Sequence, residues 1–159
     1  MSKTKARLPR ATGVSGYETS VRRTALAVLL VVVGIAWVTV YLTVARDAAQ
    51  WQKGLGPKPS DQSGFMAPLG DWNILIGFAI LILGLFVSAH PTTPMGRGRG
   101  VVIGMLGFPL IGLLWIVLFY FVGNSADVKI PLMDVLGQKN LFLGIAFIAV
   151  GFFYAVHWE

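Results

Sequence analysis

The chain contains no cysteine. That excludes a disulfide framework, a thiol nucleophile and any thiolate-ligated zinc or iron–sulfur centre. Histidine is nearly as scarce: His90 and His157 are the only two, too few for an imidazole-rich metal site. Charge is sparse as well. Only 13% of the 159 residues are Asp, Glu, Lys or Arg, against about 25% in an average soluble domain. The acidic residues fall in the tail or in loops with no paired spacing, and no nucleophile elbow, phosphate loop or metal motif is present. The chain therefore reads as non-enzymatic, with no metal and no cofactor. What is abundant is apolar: 55% of residues are hydrophobic and mean hydropathy is +0.72, which excludes a disordered chain.

The few charges are unevenly spread. None lies between Arg23 and Arg46, Asp71 and Arg97, Arg99 and Asp127, or Lys139 and Glu159. Each gap holds an apolar run near the roughly 20 residues that cross the hydrocarbon core. Lipid offers the backbone no hydrogen-bond partner, so all four runs must be helices. The fold class is all-α and integral to the membrane, with four transmembrane helices in two repeated hairpins. Residues 1–23 form a basic tail, and 24–90 a first hairpin with spans 24–45 and 72–90. Residues 91–100 form a linker, and 101–159 a second hairpin with spans 101–122 and 140–157. The first run exceeds a cleavable signal's apolar region of about 7–15 residues, so it reads as a signal anchor.

Orientation follows the lysines and arginines of the short loops. Lys3, Lys5, Arg7, Arg10, Arg22 and Arg23 lie in the tail, and Arg97 and Arg99 in the linker. The other two loops hold Arg46, Lys53 and Lys58, then Lys129 and Lys139. The excess puts tail, linker and both termini on the cytoplasmic side of a multi-pass plasma-membrane protein. Such a tail suits anionic lipid heads or an acidic partner. With no aromatic residue among its charges before Tyr17, it does not suit nucleic acid.

The hairpin is written twice. From Met66 to His90 and from Met133 to His157, at an offset of 67, nine of 25 positions coincide. Asn73 with Asn140 and His90 with His157 are the matches that apolar composition does not supply. The first and third spans match at an offset of 78, where Gly34-Ile-Ala-Trp37 faces Gly112-Leu-Leu-Trp115. Two spans per unit make the copies parallel, whereas inverted repeats would suggest alternating access.

Several residues stand out as helix-packing or partner-contact candidates: Gly34, Trp37, Gly70, Trp72, Asn73, Gly77 and Gly84 in the first copy, and Gly112, Trp115, Gly137, Asn140, Gly144 and Gly151 in the second. Gly77 and Gly84 are two turns apart, as are Gly144 and Gly151, and small residues allow helices to approach closely in lipid. The plain expectation is packing within the chain, helix two on one and four on three; the sharper one is a partner's helix. Trp72 suits an interface belt, and Asn73 can cap the following helix. The histidines end their helices and complement the dipole. Gly100-Val-Val-Ile-Gly104 matches a dimerisation motif that is weak in a glycine-rich chain, and Pro109 is expected to kink the third span.

These segments resemble a known family, the CrgA family of small actinobacterial cell-division membrane proteins. Gly112–Tyr120 (Gly-Leu-Leu-Trp-Ile-Val-Leu-Phe-Tyr) is similar to its first span, and Leu69–Phe78 to the Leu-Gly-x-Trp-Asn-x-x-Ile-Gly-Phe opening of its second. The opening Met-Ser-Lys-Thr-Lys-Ala-Arg matches its basic start. A typical member has one hairpin, so this chain resembles a tandem of two. Two departures stand out. Gln138-Lys139-Asn140 lacks the tryptophan, and the second spans end at His90 and His157 where the family often has a basic residue followed by Trp.

The resemblance implies a membrane adaptor or regulator of septum formation, enriched at the division site. Its implied partners are components of the ring built by the tubulin-like protein FtsZ and septal penicillin-binding proteins, with membrane lipids around it and a homo-oligomer allowed. The rival by architecture is a small four-span transporter or pore. It is disfavoured because no ionisable residue for coupling lies between the ends of the spans. A third reading is an envelope protein unrelated to division.

Overall fold

The structure is a computed structural model, and it describes residues 18–60, 64–122 and 130–157. Every regular element among them is helical. Helix α1 (Val21–Val40) starts where the Ser20 side chain accepts from the Arg23 backbone N–H at 3.4 Å. One turn of π-helix follows at Tyr41–Ala45, and α2 (Arg46–Gln52) continues the rod. The helical stretch Val21–Gln52 has 32 residues, so it runs well outward of the expected boundary near residue 45. The reason is tertiary. Ala48 and Ala49 are buried, and α2 packs on the short helix α3 (Met66–Leu69).

Helix α4 (Trp72–Ser88) has 17 residues, a rise of about 26 Å at the lower limit for a span. Helix α5 (Arg99–Val122) runs through Pro109. A second short helix, α6 (Pro131–Leu136), opens with proline at its first turn, where the missing N–H costs nothing. It leads into α7 (Lys139–Val156). Three stretches, Val21–Gln52, Arg99–Val122 and Lys139–Val156, are long and apolar enough to cross a membrane, and α4 is the shorter fourth. The chain is an all-α integral membrane protein.

Helix α1 packs along α4, and α5 along α7, giving two hairpins; a narrower contact between α4 and α7 joins them. One apolar cluster spans this junction at the end near α2, with Tyr41, Ala45, Met66 and Ile74 from the first half and Leu136 and Leu143 from the second. Another lies at the opposite end, around Ala89, Val150 and Tyr154. The opposite faces of α1 and α5 are apolar and exposed, including Leu29, Ile35, Leu106 and Leu110. In a water-soluble protein such faces would be buried; here they meet acyl chains.

Candidate functional site

Within each hairpin the two helices touch backbone to backbone at glycine. A Cβ on Gly34 would lie 2.6 Å from the Gly77 carbonyl oxygen and 2.9 Å from Leu81 Cβ. The second copy repeats this contact. Gly112 abuts the Gly144 carbonyl and Ile148, which is the counterpart of Leu81. One crossing further in, Gly84 faces Leu30 and Val31, while Gly151 faces Pro109, the counterpart of Val31. Gly104 makes room for the Tyr154 ring, and Gly100 abuts the backbone of Pro94 and Met95, so the Gly100–Gly104 pair packs inside the chain.

The asparagines also act alike, in a role that differs from the expected cap. Asp71 and Gln138 hold the N-cap positions, and neither side chain makes a capping bond to the helix. Asn73 is fully buried in the first turn, and its Nδ2 donates backward to the carbonyls of Met66 at 2.7 Å and Gly70 at 2.8 Å. Asn140 Nδ2 donates to Met133 and Gly137 at the same two distances. Gly70 and Gly137, with φ of +52° and +50°, reverse the chain so that these carbonyls point back at the asparagine. Each asparagine thus fastens an outer short helix to the span that follows it. Asn73 Oδ1 and Asn140 Oδ1, and the indole Nε1 of Trp37 and Trp115, are buried with no hydrogen-bond partner among the described residues. Trp37 packs against Phe65 (ring centroids 5.6 Å apart), and Trp115 reaches across to Phe78 in the first hairpin (6.3 Å).

At the end of the bundle where α1 runs into α2, a polar cluster appears that the sequence reading missed. Tyr41 Oη donates to Asp71 Oδ1 at 3.1 Å, and Lys53 Nζ pairs with Asp71 Oδ2 at 2.9 Å. Burial pushes the Asp71 carboxyl upward. The hydrogen bonds from Lys53 and Tyr41 and the charges of Lys53 and Lys139 outweigh it and hold the group below its usual range. The cluster joins α2's end, the π turn and the start of α4. The second copy has Phe119 for Tyr41 and Gln138 for Asp71. Both partners of the bond change together between copies, a signal that was readable once the two offsets were known.

At the opposite end, the residues that open α1 are tied to the linker between α4 and α5. The Ser20 backbone N–H donates to the Thr92 carbonyl at 2.8 Å, and Arg97 donates to Thr19 Oγ1. Buried Thr93 organises the linker, donating to the carbonyls of Ser88 and His90 and accepting from the Gly96 N–H. His90 Nδ1 accepts from the Thr92 N–H at 3.2 Å, with Arg23 Nη1 3.0 Å away. Burial first, then the charges of Arg23 and His157, hold this imidazole below its ordinary value. His157 differs, since its Nδ1 donates to the Phe153 carbonyl at 2.8 Å in the last turn. Of the basic tail, Arg22 and Arg23 are described; Lys3, Lys5, Arg7 and Arg10 lie outside the described residues.

Across the seam between hairpins, Lys139 Nζ sits 4.8 Å from the centre of the Trp72 ring. Phe86 and Phe153 meet edge to face at 5.0 Å, and Ser88 Oγ and Tyr154 Oη share a 2.5 Å hydrogen bond. Among the described residues no three His, Asp or Glu side chains gather as metal ligands. What the geometry offers is surfaces: a polar cluster at one end, lipid-facing flanks and a stapled linker at the other.

Comparison with known proteins matches one family model, described as cell division protein CrgA, twice along the chain, over residues 2–91 and 91–159. A cell division protein CrgA from Streptomyces avermitilis is 40% identical over 55 residues, which is 35% of this chain and 60% of that relative. One from Corynebacterium aurimucosum is 39% identical over 77 residues, which is 45% of this chain and 80% of that relative. The aligned stretch thus spans three fifths of the first relative and four fifths of the second. No solved structure matches.

Proposed function

The chain belongs to the CrgA family of cell division proteins, and on that premise we propose that it is a non-enzymatic membrane adaptor of septum formation. The observation that carries this reading is the double match: both halves of the chain are family units, and together they cover nearly all of it. The helices act as a scaffold. Their glycine crossings and asparagine clasps fix the outer short helices and the inner linker relative to the spans. The adaptor surfaces are the outer cluster around Asp71 and the basic inner tail with Arg22 and Arg23.

In this reading the tail and linker lie in the cytoplasm, where basic residues accumulate, and the Asp71 cluster faces outward. The partners are division proteins on both sides, ring components built on FtsZ within and septal penicillin-binding proteins without. Such contacts need shape and charge rather than a reacting group, which suits a chain without paired carboxylates or nucleophile motifs.

The test is deletion of the gene, followed by measurement of septum spacing and of septal synthase recruitment. Misplaced or delayed septa, restored by the full chain, are expected. Normal septa together with normal recruitment of the synthases would overturn the proposal.

A further inference from the structure

The two hairpins meet along α4 and α7, and two of the contacts there join residues that are counterparts in the repeat. Trp72 meets Lys139 and Phe86 meets Phe153, each pair separated by 67 positions. Counterpart touching counterpart is what an isologous contact produces, where one surface pairs with its own copy. In this chain both copies are covalently joined, so the two sides of the contact are free to differ. They differ at the polar points.

We propose that the second hairpin occupies the surface through which the first would otherwise pair with a second copy of the chain, and that Trp72, Lys139, Ser88 and Tyr154 direct this pairing to remain within one chain. Three pairings compete. First with second places an ammonium over an indole face, an attractive arrangement. Second with second sets Lys139 against another Lys139, a like-charge clash that disfavours the wrong partner. First with first sets Trp72 against Trp72 without the cation.

The hydrogen bond discriminates in the same direction. The counterpart of Ser88 is Ala155, and the counterpart of Tyr154 is Val87. The Ser88–Tyr154 bond therefore exists only in the mixed pairing. Val150, Tyr154 and Ala89 are buried at this junction and would be uncovered if the hairpins parted. The short stretch from Ala89 to Gly98 between α4 and α5 keeps the second hairpin close, so the internal contact forms at high effective concentration. The two polar contacts select the mixed pair over either like pair, and the tether selects its internal form over one made with a second copy.

The test uses the full chain in lipid vesicles, where the absence of native cysteine makes introduced thiols unambiguous. Phe86→Cys with Phe153→Cys, treated with a short thiol cross-linker, is expected to give an internally linked monomer. Either substitution alone is expected to give no more covalent dimer than a lipid-facing control, Ile103→Cys. Should the phenylalanine pair fail to insert, Ser88→Cys with Tyr154→Cys reads the same seam. Lys139→Glu is expected to lower the internal yield about two- to fivefold and Lys139→Arg to preserve it, the range that a surface cation–ring contact supports. Dimers formed by the single variants as efficiently as the internal link would overturn the proposal. An internal yield indifferent to Lys139→Glu would overturn the role of Lys139.

Discussion

Asn73 and Asn140 show how one side chain can organise a membrane-embedded turn. Each is itself fully buried and donates to two carbonyls, one in the short helix before it and one in the turn that follows that helix. Asn73→Asp keeps the size and removes the donors, so two buried carbonyls then face an acceptor. The expected loss is about 2 kcal/mol of stability, read from unfolding in mixed micelles, and Asn140→Asp is expected to lose a similar amount. A loss below about 0.5 kcal/mol, the range of a neutral surface change, would show that the clasp is not a structural bond. His90 gives a pH dependence with a defined sign. Its folded-state value lies below the ordinary one, so neutral imidazole is favoured in the native state. The associated stability is present above about pH 6.5 and is lost as pH falls through the folded value. Protection of the Ser20 amide, which bonds to Thr92, is expected to fall with acid in this window and to become flat in His90→Ala; an equal acid loss in both would refute the assignment.

At the scale of elements, the glycine crossings decide how closely each hairpin closes. Gly34 and Gly107 form an informative pair. A methyl at Gly34 meets the Gly77 carbonyl and Leu81, whereas a methyl at Gly107 meets nothing within 4 Å. Gly34→Ala is therefore expected to destabilise by about 1–3 kcal/mol, the usual range for overpacking. Gly107→Ala is expected to be neutral or slightly stabilising in its helix. Equal effects in denaturant titrations would mean that the α1–α4 contact is not as close as described. These crossings were legible because the repeat placed glycine at matched positions, and glycine at a lipid-embedded contact has one plain use. The Tyr41–Asp71–Lys53 cluster was not legible by the same route. Its members come from a π turn, a helix start and a loop, and Asp71 stood in the sequence as one more boundary charge. The short helices α3 and α6 are too brief to show a period, whereas the continuation of the first helix to Gln52 was readable from Ala48–Lys53 ahead of the Gly and Pro residues at 54–59.

For the whole molecule, the apolar runs and the doubled motif carried the architecture. The missing charges said where the membrane lies, and the parallel repeat said that the unit is a hairpin. The relation between the hairpins was not written in that pattern, because Trp72 with Lys139 and Ser88 with Tyr154 are pairs of unlike residues that only the assembled seam brings together. Topology has its own test in a chain without native cysteine. Ser60→Cys is expected to react with an impermeant maleimide from outside intact cells, and Arg99→Cys only after lysis; the reverse pattern would invert the orientation. The central claim is a role in division, and position in the living cell tests it most directly. A fluorescent fusion at the N-terminus, shown to be intact and imaged in growing cells, is expected to form a band at mid-cell or septum before constriction begins. An even outline of the whole membrane would contradict the account.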